Sequence, residues 1–117
     1  TAQSNTLFLD SESMKDVLTC STVELSRIKQ DKMSLYLILP PTYLKSHAAW
    51  LRLMIVCCLR ALTDSQQPPK DRVLFLLDEF ANLGYMQPVV DGISLVGGYG
   101  ALFWLLIQDL SQVKGVY

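Results

Sequence analysis

Three segments of the chain are apolar at consecutive positions, and polar or helix-like stretches separate them. They are residues 35–39, 73–77 and 101–107. Strands that are apolar on both faces are typical of parallel sheets with both sides covered, whereas a strand with one wet face alternates apolar and polar residues. The pattern therefore predicts an α/β fold with a mainly parallel sheet flanked by helices.

The stretches between these segments predict helices. Asp10 and Ser11 can cap a short helix over residues 12–19, and Thr42 can cap a long one over residues 43–62. The long helix is apolar on nearly every side, so it belongs between layers of a larger fold. Pro88 can open a further helix over residues 88–96, which a glycine-rich turn follows.

Composition excludes several classes of protein. With 117 residues, half of them apolar, the chain can bury one modest core and forms one unit or part of one. Its formal charge is −1 and neither sign is gathered into a long block, which does not suggest a stand-alone nucleic-acid binder. The three cysteines have no CxxC spacing, which argues against a zinc site.

The longest apolar run, near residues 48–59, is interrupted by Arg52. It is shorter than the roughly 20 residues that span a bilayer. We therefore expect no transmembrane segment in this chain.

Two acids stand at the end of the second apolar run, and a glutamine follows the third. They are Asp78, Glu79 and Gln108. Ligands of open parallel sheets bind beyond the carboxyl ends of the strands, where all three side chains would lie. This placement predicts a polar site at one edge of the sheet.

The three residue types suit nucleotide hydrolysis. A carboxylate such as Asp78 can hold Mg²⁺, which keeps several waters and also binds phosphate oxygens. Glu79 can orient or deprotonate the attacking water, and Gln108 can contact the terminal phosphate or the same water. An apolar run followed by Asp-Glu is a Walker B pattern, but the pattern alone is common.

Structural interpretations of the same residues stay open. An acid at a strand end can simply cap the next helix, and Gln108 can be a loop residue. Asn82 can extend a nucleotide pocket or serve only its turn. The pattern of two apolar strands, one ending in Asp-Glu and the other in Gln, favours the functional interpretation.

Several segments of the chain together resemble a known protein family. LFLLDEFANLG, GGYG, ALFWLLI and QDLSQ are similar to the nucleotide-binding domain of TraG/TraD-type coupling proteins, the DNA-pumping ATPases of conjugation and type IV secretion. The upstream MSLYLILPPTYLKSHAAWLRLMI is similar to the strand, double proline and long helix of that family. The resemblance covers at least residues 7–117.

The resemblance implies a RecA-like P-loop NTPase fold that uses ATP and Mg²⁺. It implies a membrane-anchored hexamer on the cytoplasmic face of the bacterial inner membrane, in contact with other inner-membrane secretion components. The implied substrate is DNA with an attached relaxase. By position, Asp78 and Glu79 are similar to the Walker B acids of the family, and Gln108 is similar to its sensor glutamine.

One motif of the family is missing from the sequence. No G-x-x-x-x-G-K-[ST] is present, and Gly97-Gly98-Tyr99-Gly100 lacks the lysine and precedes a strand instead of following one. We therefore expect residues 1–117 to be part of one nucleotide-binding domain, its Walker B and sensor half, excised from a longer protein. By itself the chain is expected to hydrolyse ATP negligibly.

Two other functions remain possible on the sequence alone. One is a non-catalytic module for interaction or oligomerisation, in which Asp78 and Glu79 are a surface pair. The other is part of a different RecA-like DNA translocase or helicase, because these residue types serve similar roles across that class. An incomplete parallel sheet exposes strand edges and apolar faces, so self-association is also expected.

Overall fold

The computed structural model describes residues 2–64, 66–67 and 70–117, and the side chains of all of these except Leu95 and Val96. The described residues form five α-helices and two β-strands, joined by short 3-10 turns. In chain order these are α1 (Ala2–Thr6), α2 (Glu12–Thr19), α3 (Leu44–Asp64), β1 (Val73–Leu77), α4 (Gln87–Leu95), β2 (Ala101–Leu105) and α5 (Leu110–Lys114).

The two strands form a parallel sheet connected through α4. Val73 pairs with Ala101 at one end of the register and Leu77 with Leu105 at the other. The pairing is extended at both ends, because the Val73 N–H donates to the Gly100 carbonyl at 2.8 Å and the Leu106 N–H to the Leu77 carbonyl at 2.9 Å. The predicted α/β class with parallel strands is confirmed.

The prediction of a third strand over residues 35–39 is wrong. The segment is not part of the described sheet, which has two strands. Its side chains nevertheless alternate as in a strand: Leu35, Leu37 and Leu39 pack on the core, while Tyr36 and Ile38 are each 79% exposed. No described neighbour supplies the hydrogen bonds of a ladder, so the segment is not a strand despite this alternation.

The core lies between α3, one face of the sheet, and the turn and helix that follow β1. The stacked rings of Phe75 and Phe103, with centroids 5.2 Å apart, join the two strands on this face. The buried members of the main cluster are Ile55, Cys58, Leu59, Leu62, Phe75, Phe80, Leu83, Met86, Val89 and Ala101. A second, smaller cluster joins Phe8, Met14 and Trp50, which attaches the N-terminal elements to α3.

The opposite face of the sheet is not covered by the described residues. Leu74, Leu76, Leu102 and Trp104 point to this face and are between 42% and 60% exposed. The sequence predicted a sheet covered on both sides, and the described residues cover only one of them.

Helix bounds follow the sequence closely, with differences at the ends. Helix α2 occupies residues 12–19 as predicted. Helix α3 begins at Leu44 because a 3-10 turn over Pro41–Tyr43 precedes it, so Thr42 lies inside that turn and does not cap the helix. Strand β2 ends at Leu105 because β1, its described partner, ends at Leu77.

Among the described helices, one is long and apolar enough to cross a membrane. It comprises Pro41–Asp64, the 3-10 turn together with α3, and a third of its most apolar window is buried. The sequence had predicted no membrane-spanning segment, because Arg52 interrupts the apolar run within this helix. The core helix of a soluble protein meets the same criteria, and α3 contributes four residues to the main buried cluster.

Candidate functional site

The polar residues predicted to converge at the edge of the sheet do so. Strand β1 ends at Leu77 and runs directly into Asp78 and Glu79, and β2 ends three residues before Gln108. Because the strands are parallel and in register, both carboxyl ends meet at one edge. The Phe80 N–H donates to the Leu106 carbonyl at 3.2 Å, which holds the two strand exits against each other.

The Glu79 carboxylate accepts hydrogen bonds from two side-chain amides. Asn82 Nδ2 donates to Glu79 Oε2 at 2.8 Å, and Gln108 Nε2 donates to Oε1 at 3.3 Å. Each oxygen therefore has one amide donor and keeps lone-pair capacity for a further donor such as water. The carboxylate is held in one orientation between the ends of two strands.

The backbone of Glu79 is in the left-handed region, with φ 48° and ψ 40°. Among the described residues it is the one non-glycine residue with positive φ. A left-handed conformation costs an L-residue of this kind roughly 1–2 kcal/mol, and such conformations concentrate at functional sites. The chain therefore keeps glutamate where glycine or asparagine would be less strained.

Asp78 is exposed and contacts the site through its backbone neighbour. Its Oδ1 accepts the Glu79 N–H at 2.9 Å, which fixes the carboxylate beside the turn. The described residues contain no group of three or more His, Cys, Asp or Glu placed to hold a metal ion. The donor set thus fits a cation that takes one carboxylate and fills its other positions with water and phosphate, as Mg²⁺ does, and does not fit an all-protein cage.

Asp109, which sequence reasoning did not single out, caps the helix that follows Gln108. Its side chain accepts the Ser111 N–H at 2.9 Å at the start of α5. This hydrogen bond lowers the pKa of Asp109 below its ordinary value, because it stabilises the charged carboxylate. The cap fixes the direction in which the chain leaves Gln108.

Asn82 had two interpretations in the sequence, and the structure brings it to Glu79. It lies three residues after Glu79 in the 3-10 turn Phe80–Leu83, so its amide reaches back to the carboxylate. The spacing within one turn was the available signal. Tyr117 was not considered, although its ring stacks on Phe80, immediately after Glu79, with centroids 5.4 Å apart.

The hydrogen-bonded side chains at this edge of the sheet are exposed in the described residues. Two surface depressions, of about 500 and 640 Å³, lie near α3 and residues 21–27. Neither is lined by Asp78, Glu79 or Gln108. A nucleotide bound at this edge would need further lining residues from outside the described part of the chain.

Comparison with known proteins decides between the families that such a site allows. Residues 1–117 match the family model described as type IV secretory system conjugative DNA transfer. The chain belongs to this family. The resemblance to coupling proteins that the sequence indicated is therefore confirmed.

Named relatives agree with the conjugative DNA transfer family. The chain is 36% identical over 93 residues to the protein VirD4 of Rhizobium radiobacter, which covers 77% of the chain. It is 33% identical over 101 residues to the conjugal transfer protein TraG of Escherichia coli, covering 75% of the chain. It is 31% identical over 113 residues to the type IV secretion system-coupling protein VirD4 of Bartonella quintana, covering 97% of the chain.

The chain spans only a small part of these relatives, between 13% and 18% of their lengths. No solved structure matches the chain. Membership of the conjugative DNA transfer family is thus shown by sequence.

Proposed function

We propose that this chain is part of the ATP-hydrolysing domain of a type IV secretion coupling protein, with a RecA-like P-loop fold in the whole domain. The names of its relatives support a role in conjugal transfer and secretion. The observation that carries the proposal is the position of Glu79, whose carboxylate is fixed by two amide donors where two parallel strands end. Such an edge is where α/β sheets bind ligands.

In this proposal Glu79 is the general base. Its two carboxylate oxygens are oriented by Asn82 and Gln108, and each keeps capacity to accept a hydrogen bond from water. A base must lie within hydrogen-bond reach of the proton that it removes, so a carboxylate of fixed orientation is better suited than a freely rotating one. Gln108, held against Glu79, is placed to contact the same water or the terminal phosphate.

Asp78 is the proposed Mg²⁺ residue, through water. Its Oδ1 accepts the Glu79 N–H, and its carboxylate is exposed at the same edge. When bound, Mg²⁺ would neutralise charge on the phosphates of ATP. The two adjacent carboxylates have different partners, the Glu79 N–H for Asp78 and the Asn82 and Gln108 amides for Glu79, so one could address the cation and the other the water.

The phosphate loop of the proposed domain would come from outside this chain. The sequence contains no G-x-x-x-x-G-K-[ST], and the side-chain contacts of Glu79 are exposed. A triphosphate needs backbone N–H groups and a lysine to hold it, so the isolated chain would hydrolyse ATP negligibly. The relatives are long enough to supply these parts elsewhere in their sequences.

The whole protein would act at the cytoplasmic face of the bacterial inner membrane. The proposed assembly is a hexamer that contacts other inner-membrane secretion components and moves DNA with its attached relaxase. The family match and the names of the relatives support the part of this proposal that concerns DNA transfer and secretion. The hexamer, the membrane location and the relaxase are what the resemblance to coupling proteins implies.

The test is DNA-stimulated ATP hydrolysis by the full-length coupling protein that contains this chain, with Glu79→Gln. The substitution keeps the size of the side chain and removes its basicity. We expect kcat to fall by about 10²–10⁴-fold while ATP still binds. Glu12→Gln, at an exposed position on α2, is the matched control and should hydrolyse at the normal rate. Normal turnover by Glu79→Gln would leave the two acids as structural residues of a turn.

A further inference from the structure

The segment after β2 returns to the turn formed by residues 79–84. It holds this turn at more than one point. The Leu106 carbonyl accepts the Phe80 N–H, and Gln108 donates to the Glu79 carboxylate. Both contacts act on the start of the turn. Its far end is held separately, by Tyr117.

Tyr117 makes two kinds of contact with this turn. Its ring stacks on Phe80 at an interplanar angle of 24°, and its hydroxyl accepts the Met86 N–H at 3.1 Å. The same hydroxyl donates to the Gly84 carbonyl at 3.3 Å. A tyrosine hydroxyl is protonated at neutral pH and can donate, and burial raises the pKa of this one further above its ordinary value.

The turn has a reason to need such support. It starts at Glu79, whose left-handed backbone is strained, and ends at Gly84, whose φ is +70°. A strained residue keeps its conformation only where the surrounding contacts determine it. Tyr117 fixes the residue immediately after Glu79 through the ring stack and the end of the turn through the hydroxyl.

Three further contacts fix Tyr117 and the turn in place. Asp109 caps α5, which leads to Tyr117, and the Tyr117 N–H donates to the Val113 carbonyl at 2.8 Å. From the other side, Arg52 Nη2 on α3 donates to the Tyr85 carbonyl at 3.2 Å. The turn is therefore held between the core helix and the returning segment.

We infer that Tyr117 is a positioning residue for Glu79, acting through the conformation of the turn. This inference rests on the proposed function, because it assigns Tyr117 to the same hydrolytic site. Tyr117 touches neither water nor nucleotide in this role. It keeps the Glu79 carboxylate in the orientation that Asn82 and Gln108 define.

The experiment compares Tyr117→Phe and Tyr117→Leu in the full-length coupling protein. Phenylalanine keeps the stack and loses both hydroxyl hydrogen bonds, whereas leucine loses both kinds of contact. We expect kcat to fall about fivefold for Tyr117→Phe and about 10–100-fold for Tyr117→Leu, with KM for ATP changed less than about twofold, because displacement of a reacting group affects the chemical step more than binding.

Tyr85→Phe is the matched control. It removes a hydroxyl from the same aromatic cluster, but one that bonds to the Gln87 side chain and not to the backbone of the turn. It should leave kcat unchanged. Hydrogen exchange measured by mass spectrometry on peptides covering residues 79–88 provides a structural readout, and exchange should be faster in Tyr117→Phe than in Tyr85→Phe.

The outcomes separate this inference from the proposed function. If Glu79→Gln is inactive while Tyr117→Leu keeps normal kcat, the positioning role is wrong and the hydrolytic role of Glu79 stands. If Glu79→Gln is fully active, both fail. Equal losses in kcat and ATP binding for Tyr117→Phe, with residues 79–88 exchanging as in the control, would also overturn the inference.

Discussion

Gln108 and Glu79 lie 29 residues apart in the chain, and their side chains meet with Nε2 3.3 Å from Oε1. Each residue follows a strand of the same parallel pair, so the register of the sheet brings them together. The contact is exposed, so it adds little to the free energy of unfolding. Its value in the proposed site is orientation, because it fixes one oxygen of the carboxylate while Asn82 fixes the other.

This relationship predicts different effects for two substitutions of Gln108 in the full-length protein. Gln108→Ala removes one donor, and we expect kcat for ATP hydrolysis to fall about tenfold to hundredfold. Gln108→Glu should lower kcat further, because a second carboxylate beside Glu79 repels it and cannot donate when ionised. Steady-state hydrolysis with saturating ATP and DNA measures both.

The control for these variants is Gln112→Ala, four residues along the same segment. Gln112 is exposed on α5, away from the Glu79 carboxylate in the described contacts. It should retain normal kcat. A Gln108→Glu variant as active as the unsubstituted protein would show that the contact with Glu79 has no part in hydrolysis.

The elements that sequence predicted best are those whose signals are local. Strand β1 has the predicted bounds because an apolar run ends at two acids, and α2 has them because its short stretch is amphipathic, although the Ser11 side chain before it makes no cap hydrogen bond. The convergence of Glu79 and Gln108 was also predictable, since it needs only the parallel order of two strands.

The features that sequence did not predict depend on distant partners. Residues 35–39 have the composition of a strand, but a strand is defined by the hydrogen bonds of its neighbours, which the local sequence does not contain. Tyr117 reaches Gly84 and Met86 from 33 and 31 residues away, and no spacing in the sequence signals that contact. The left-handed backbone of Glu79 was not predicted either, and the sequence indicated exposed apolar faces in general without showing which face of the sheet is uncovered.

The left-handed backbone of Glu79 predicts an unusual order of stability. Glu79→Gly should be more stable to urea than Glu79→Ala by about 0.5–1 kcal/mol, because glycine adopts φ 48° without strain and this gain exceeds its larger entropy in the unfolded chain. Both variants lack the carboxylate, so their comparison isolates the backbone. Urea denaturation followed by circular dichroism measures the difference.

The same pair of substitutions at Glu12 is the control. Glu12 is the first residue of helix α2, where φ is negative and glycine is disfavoured. Glu12→Gly should therefore be less stable than Glu12→Ala, by up to about 1 kcal/mol. If alanine were also the more stable residue at position 79, the left-handed conformation of Glu79 would not hold in solution.

The uncovered face of the sheet predicts self-association of the isolated chain. Leu76 and Trp104 are directly paired across the two strands on this face and are 56% and 60% exposed. A contiguous apolar patch beside open strand edges favours contact with a second copy. Sedimentation velocity at increasing concentration should show dimers or larger species, and Trp104→Lys should shift them toward monomer because it places a charge in the patch.

Val17→Lys, at a residue 56% exposed on α2, changes the net charge equally and should leave association unaltered. A chain that stays monomeric at every concentration would contradict the prediction, and equal effects of both lysines would assign the association to net charge instead of this face.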